Sequence, residues 1–219
     1  MTPDDLVVAL TEAGRRAGAA GLVVGSGGNL SARKADGDEC VVTARDSWLD
    51  SLGGADFSVV AIADGSLRRG HGRPSSELGL HLAAYRSRPD ARAVIHLHPQ
   101  TCVLLTALGH PIRLVSTDHT YYVRQVATVP YLPPGSDALA DAVAAALGDG
   151  SDCVVLSHHG CCVVADSVGL ALRRAVNLEE AARLTYRALL LGANDLPEPP
   201  GYREQLRRHA VPGVVGLGE

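Results

Sequence analysis

The chain has no apolar run near the ~18 residues that a membrane-spanning helix requires, so no membrane partner is expected. Its opening, Met1-Thr2-Pro3-Asp4-Asp5, is acidic and lacks the basic segment that begins a secretory signal. Positive charge is not in excess either: 20 Lys and Arg face 24 Asp and Glu, for a formal net charge of -4. With no basic stripe, nothing points to nucleic acid as a partner. The five cysteines (Cys40, Cys102, Cys153, Cys161, Cys162) form an odd set without C-x-x-C spacing, which argues against a disulfide framework. They read as small buried hydrophobes in a reducing compartment, and a cytoplasmic location is expected. No internal repeat and no obvious linker divides the sequence.

What is present suits one large domain. The 219 residues are 46% hydrophobic with a mean hydropathy of +0.09, enough to build a sizeable core. Apolar spacing predicts helices over 3–20, 77–86, 100–108, 136–148 and 167–191. Strand signals fall at 30–34, 40–44, 58–63, 112–115, 123–129, 153–156 and 161–165, and in the segment ending at His96. Such a mixture predicts a single layered α/β domain over 1–219, with a proline-rich tail from about 195.

Within it, Val94-Ile95-His96-Leu97-His98-Pro99 is the most informative segment. Alternation along a strand points residues i and i+2 to one face, so both imidazoles project together just before Pro99. Paired neutral imidazoles suit a divalent transition metal, with zinc as the default. Further ligands must come from elsewhere. Ser157-His158-His159-Gly160 breaks an apolar run at a tight turn, and adjacent residues face opposite sides, so at most one of these histidines can join. Glu77 in Arg73-Pro74-Ser75-Ser76-Glu77 sits in the first turn of a helix that Ser75 or Ser76 can cap. It could merely complement the helix dipole. His81, one turn further on, competes as ligand or as a partner behind the ligands. Glu77 is preferred because a carboxylate beside a metal can also move protons.

These segments carry a family resemblance. Gly25-Ser26-Gly27-Gly28-Asn29-Leu30-Ser31 resembles the G-T-x-G-N-x-S loop of the class II aldolase/adducin family. Pro74-Ser75-Ser76-Glu77, His96-x-His98 and His159-Gly160 resemble three further blocks of that family, in the same order. The resemblance implies a three-layer α/β/α domain with a central mixed β-sheet, assembled as a homotetramer with its sites at subunit contacts. It implies a divalent metal held by His96, His98, His159 and Glu77, most simply Zn2+, with Mn2+, Co2+ or Fe2+ as alternatives. Glu77 would then leave the metal to act as acid and base at the carbon beside the substrate carbonyl. Polarisation by the cation would stabilise an enediolate without a lysine Schiff base.

A second acid is implied about twenty residues beyond the histidine pair, reaching in from a neighbouring subunit. Tyr121 fits best, with Asp118, His119 and Tyr122 as alternatives. A phosphate would meet the glycine-rich nest of Ser26, Gly27, Gly28 and Asn29 and the helix start at Ser75 and Ser76.

One block departs. The family's T-P-S-G or T-A-S-G is here Thr43-Ala44-Arg45-Asp46. Asp46 would repel phosphate, whereas Arg45 could hold a phosphate or a carboxylate bidentately. The expected activity is that of an aldolase, a carbon–carbon lyase acting on a hydroxyketone sugar. A ketose 1-phosphate yielding dihydroxyacetone phosphate and an aldehyde is the leading substrate. A decarboxylase or epimerase on the same scaffold is the alternative, and a non-catalytic adducin-like interaction module the second.

Overall fold

A computed structural model of the protein describes residues 2–35, 37–70, 73–202 and 204. The chain opens on α1 (Pro3–Ala19), whose start is set by its sequence: the Thr2 hydroxyl accepts from the Asp5 N–H, and the Asp5 carboxylate accepts from the Thr2 N–H. Pro3 occupies the first turn, where a missing N–H costs nothing. One apolar stripe of this helix (Leu6, Leu10, Ala13, Ala17) is buried.

Three antiparallel strands follow, β1 (Asn29–Arg33), β2 (Glu39–Thr43) and β3 (Phe57–Ala61), with β4 (Leu67–Gly70) at the edge. Then come α2 (Leu78–Ser87), β5 (Ala93–Leu97), α3 (Gln100–Ala107), β6 (Val126–Val129), α4 (Asp137–Gly148), β7 (Cys153–Leu156), β8 (Gly160–Ala165) and α5 (Val168–Leu190).

The strands form one 8-stranded sheet in the order β4-β3-β2-β1-β5-β8-β7-β6. Only β6 and β7 run parallel, so the sheet is mixed. Its central strands are buried on both faces and read as unbroken apolar runs, as in Cys161–Ala165. One face carries α1, α3 and α5 through a core that includes Leu10, Ile95, Leu105 and Leu178. The opposite face carries α2 and α4 through Leu82, Tyr85, Val143 and Leu147. Helices on both sides of a mixed sheet give the three-layer α/β/α domain expected from the sequence.

Sequence and structure part company at three places. β4 was not expected: all four of its residues are exposed, so it carries no alternation of apolar and polar residues to reveal it. Residues 112–115 form no strand, and 119–123 make a turn of π-helix in place of the start of one. Arg124, at φ 63, ends that turn and pairs with buried Asp152 at 3.5 Å. The chain then enters β6 three residues later than the apolar pattern suggests. The proline-rich tail is irregular through Pro199 and its Tyr202 is buried; most of the remainder lies outside the described residues. All five cysteines are free and buried, as expected. Among the described residues no helix is long and apolar enough to cross a membrane.

Candidate metal centre

Strand register assembles the site. β1 and β5 are antiparallel neighbours with Asn29 opposite His96, and β5 pairs with β8 with Leu97 opposite Cys161. One step further along these ladders, His98 emerges between the Gly27–Gly28 turn and Gly160. His159 is the last residue of the β7–β8 turn and faces the same end of the sheet. Glu77 stands at the N-cap position of α2, its side chain making no cap bond to the helix. That helix is tied to the sheet because Ser75 N–H donates to the Thr43 carbonyl (3.1 Å) and Arg45 N–H to the Arg73 carbonyl (2.9 Å).

The result is a cluster in which one donor atom each from Glu77, His96, His98 and His159 lies within 4.8 Å of all the others. The imidazole centroids form a near-equilateral triangle with sides of 4.9, 4.8 and 5.0 Å. His96 Nδ1–H donates to the Cys161 carbonyl at 3.0 Å, which fixes its tautomer and turns the Nε2 lone pair inward. That atom meets Glu77 Oε2 at 2.9 Å and His98 Nε2 at 3.0 Å. Glu77 Oε1 and His159 Nδ1 are buried without a hydrogen-bond partner. Lone pairs facing one another at such distances repel unless a cation or proton lies between them. Three imidazoles and a carboxylate are the donor set of a divalent transition-metal site, so these residues fit a metal ion.

Electrostatics favours the ligand forms. Burial, reinforced by His96 and His159, lowers the His98 pKa to about 4, keeping the ring neutral at pH 7. Burial and His96 lower that of His159 as well. For Glu77, burial pulls upward, but in the metal-free cluster a proton on His96 Nε2 makes a hydrogen bond to the carboxylate, and this with the charge of His96 and His159 prevails, so the carboxyl lies well below its ordinary range.

The glycines have a steric role that the sequence did not disclose. A Cβ on Gly27 would stand 2.8 Å from His98 Nδ1, and one on Gly160 would stand 2.8 Å from His98 Cδ2 and collide with the Leu97 carbonyl. The His98 ring is held between two bare backbones.

The remaining predicted residues divide into two groups. Asn29 is buried, with its amide N–H on Glu77 Oε2 at 3.1 Å and its carbonyl on His81. Ser75 is buried and its hydroxyl accepts from the Glu77 N–H at 3.1 Å; neither Ser75 nor Ser76 is the helix cap, a position that Glu77 itself occupies. Ser26, Arg45 and Ser76 are exposed around the cluster's loops. Arg45 has the Asp46 carboxylate 3.9 Å away, and Asp46 holds φ 63, a conformation that glycine adopts freely.

Tyr121 is 72% exposed, and its ring meets Tyr122 edge-on at 5.0 Å. No hydrogen bond or ring contact among the described residues joins Tyr121 to the cluster. Of the alternatives for its role, His119 is buried and the Tyr122 carbonyl accepts from Arg174. Sequence reasoning missed Ser31 and Tyr85, which continue from His81 beneath the cluster.

Residues 8–186 match the Class II Aldolase and Adducin N-terminal domain. An L-fuculose phosphate aldolase of Methanococcus maripaludis is 33% identical over 164 residues, covering 75% of this chain and 87% of that protein. A 3-oxo-tetronate 4-phosphate decarboxylase of Escherichia coli is 36% identical over 171 residues, 76% of this chain and 79% of that protein. The crystal structure of YgbL from Klebsiella pneumoniae superposes with a TM-score of 0.84 at 30% identity, over 94% of this chain and 100% of that one. The chain belongs to the class II aldolase/adducin family. The expectation of a lyase of the class II aldolase type, acting on a small molecule, stands with that membership.

Proposed function

We propose that this protein is a zinc-dependent aldolase that cleaves a ketose 1-phosphate to dihydroxyacetone phosphate and an aldehyde. The observation that carries the reading is the convergence of bare donor atoms from Glu77, His96, His98 and His159. A non-catalytic interaction module has no use for four such groups held this close, two of them buried. A bound divalent cation, Zn2+ in this reading or Mn2+, Co2+ or Fe2+ in its place, supplies Lewis-acid polarisation of the substrate carbonyl.

The chain's own residues supply the rest. Glu77 returns a proton to the carbon beside that carbonyl after the carbon–carbon bond breaks. It removes the same proton in the synthetic direction. In the synthetic direction Tyr121 of a neighbouring copy gives its phenol proton to the alkoxide formed from the aldehyde; cleavage is the reverse, with the phenolate taking the hydroxyl proton. The exposure of Tyr121 fits a residue that completes another chain's site in a homotetramer. Ser26, Gly27, Gly28, Ser76 and Arg45 bind the anionic end of the substrate, while Asn29 and Ser75, expected beside them, are turned to Glu77. Five free, buried cysteines agree with a reducing, cytoplasmic setting.

Arg45-Asp46 favours a second reading. An arginine offered beside the site suits a carboxylate, and a relative at 36% identity is named a 3-oxo-tetronate 4-phosphate decarboxylase. In that reaction the bond to the carboxyl carbon breaks, CO2 leaves, and the same Glu77 protonates the carbon left behind. The test is zinc-loaded protein assayed on a panel of ketose 1-phosphates and 3-oxo sugar acids. Release of dihydroxyacetone phosphate that Glu77→Gln abolishes is expected. Release of CO2 alone would select the decarboxylase, and no turnover with stoichiometric zinc bound would reject both.

A further inference from the structure

Beneath Glu77 runs a line of buried polar side chains for which the proposed reaction has no direct use. Glu77 Oε2 accepts from Asn29 Nδ2 (3.1 Å), Asn29 Oδ1 faces His81 Nε2 (2.5 Å), His81 Nδ1 faces Ser31 Oγ (2.7 Å), and Ser31 Oγ faces Tyr85 Oη (2.8 Å). Ser31 and His81 are 0% exposed, Tyr85 1% and Asn29 6%. The sequence places them together through two periodicities. Asn29 and Ser31 share one face of β1, while Glu77, His81 and Tyr85 recur at helical spacing along the start and body of α2.

The direction of every bond in this line follows from its end. A carboxylate only accepts, so Asn29 must present its NH2 to Glu77 and its carbonyl to His81. His81 must then donate from Nε2, which leaves Nδ1 bare. The Ser31 hydroxyl must donate to that nitrogen and receive in turn from the Tyr85 hydroxyl. Burial supports a neutral His81, whose pKa it drives down to about 3. Were the Asn29 amide to turn over, its carbonyl would oppose Glu77 Oε2 and its NH2 would point at a ring N–H, leaving unmatched polar groups at both ends.

We propose that His81 is a positioning residue: its Nε2–H locks the Asn29 amide so that Asn29 holds Glu77 in place as a metal ligand. Ser31 and Tyr85 set the His81 tautomer that makes the lock one-way. The proposal rests on Glu77 being a ligand, but its test needs no substrate.

Zinc affinity of the full chain is measured by competition with a chromophoric chelator, alongside the melting curve of the metal-free protein. His81→Leu, which keeps an apolar volume and removes the donor, is expected to weaken zinc binding by about 10- to 100-fold, as loss of a ligand's supporting partner does. His81→Gln, whose terminal amide can reach Asn29, is expected to recover most of that loss. Asn29→Ala is expected to weaken zinc as His81→Leu does, and combining the two to add nothing further.

A folded His81→Leu protein with unchanged affinity would overturn the proposal, as would losses that multiply in the double variant. Failure of Gln to recover more than Leu would do the same. Should His81→Leu not fold, the nitrogen-15 spectrum of the native chain decides. A His81 signal with Nε2 protonated and Nδ1 bare is expected, and the opposite tautomer overturns the proposal. Zinc binding with no lyase activity would count against the proposed reaction and leave this inference standing.

Discussion

Glu77, His96 and His81 are 6%, 0% and 0% exposed, whereas Ser26, Arg45, Asp46 and Ser76 stand in solvent and Tyr121 is 72% exposed. The first group is mounted on the paired central strands and the helix packed over them; the second rides on loops. In the cluster three of the side chains are fixed from outside it: His96 by the Cys161 carbonyl, Glu77 by Asn29, His98 by bare glycine backbones on either side. Among the described residues no such contact holds the rim side chains Ser26 and Ser76, and the pair Arg45 with Asp46 is wide at 3.9 Å. A ligand set needs sub-ångström placement, and the sheet provides it. Substrate choice needs only a few groups of suitable charge, and loops can change those without disturbing the metal.

The two halves should therefore respond very differently to substitution. In the proposed reaction Glu77→Gln removes both a negative ligand and the acid/base, and turnover is expected to fall by about 10²- to 10⁴-fold. Gly27→Val is the next most severe. Its side chain must occupy the space of the His98 ring, so zinc affinity in a chelator competition is expected to drop by about 10- to 100-fold. Ser26→Ala, one residue away on the exposed side of the same turn, is expected to leave zinc affinity unchanged and to act only on substrate KM. Equal effects from the two would erase the distinction between cluster and rim.

Acid should also find the buried half first. His98 falls to about 4 and His81 to about 3 in the folded chain, against an ordinary value near 6.5. Between pH 6.5 and 4 the unfolded chain therefore binds more protons than the folded one, so stability rises with pH across that window and is lost as pH falls through it. Glu77, also lowered, pushes the same way from its ordinary value downward. Denaturant unfolding of the metal-free protein at pH 7 and pH 5 is expected to show the lower midpoint at pH 5. An unchanged midpoint would mean that these histidines are not held neutral by burial. Saturating zinc at pH 7 should widen the gap, since an ion that binds only the folded chain stabilises it.

Legibility in the sequence follows the same division. Strand alternation alone aligned His96 with His98, because the period of two holds wherever a buried strand ends. Glu77 and His159 needed the family resemblance: one is a helix-start carboxylate and the other a turn histidine, and neither pattern is diagnostic by itself. His81 could be placed on the Glu77 face of α2 by its spacing. That its partners are Ser31 and Asn29 depends on how α2 lies across β1, which no local pattern records. The strand expected over 123–129 starts late because its first residue, Val123, ends the π-turn at 119–123. There the packing of the turn on α5, with Arg174 holding the Tyr122 carbonyl, overrides propensity.

The smallest effect, and the one that bears most directly on substrate, lies at Arg45-Asp46. Asp46 occupies a left-handed backbone conformation at the position that matches the glycine of the T-x-S-G block in the family resemblance. An aspartate tolerates that conformation at some cost, so Asp46→Gly is expected to change stability by less than about 1 kcal/mol. Its kinetic effect should be separable from its structural one. Removing the carboxylate removes repulsion from an anionic substrate, and KM for a phosphorylated substrate is expected to fall a few-fold with kcat unchanged, as for a group that binds ground state and transition state alike. Arg45→Ala should move KM the opposite way, and more strongly for whichever anion, phosphate or carboxylate, the guanidinium holds. A change in kcat from either variant would place this loop with the buried chemistry, and the line between cluster and rim would have to be redrawn to include it.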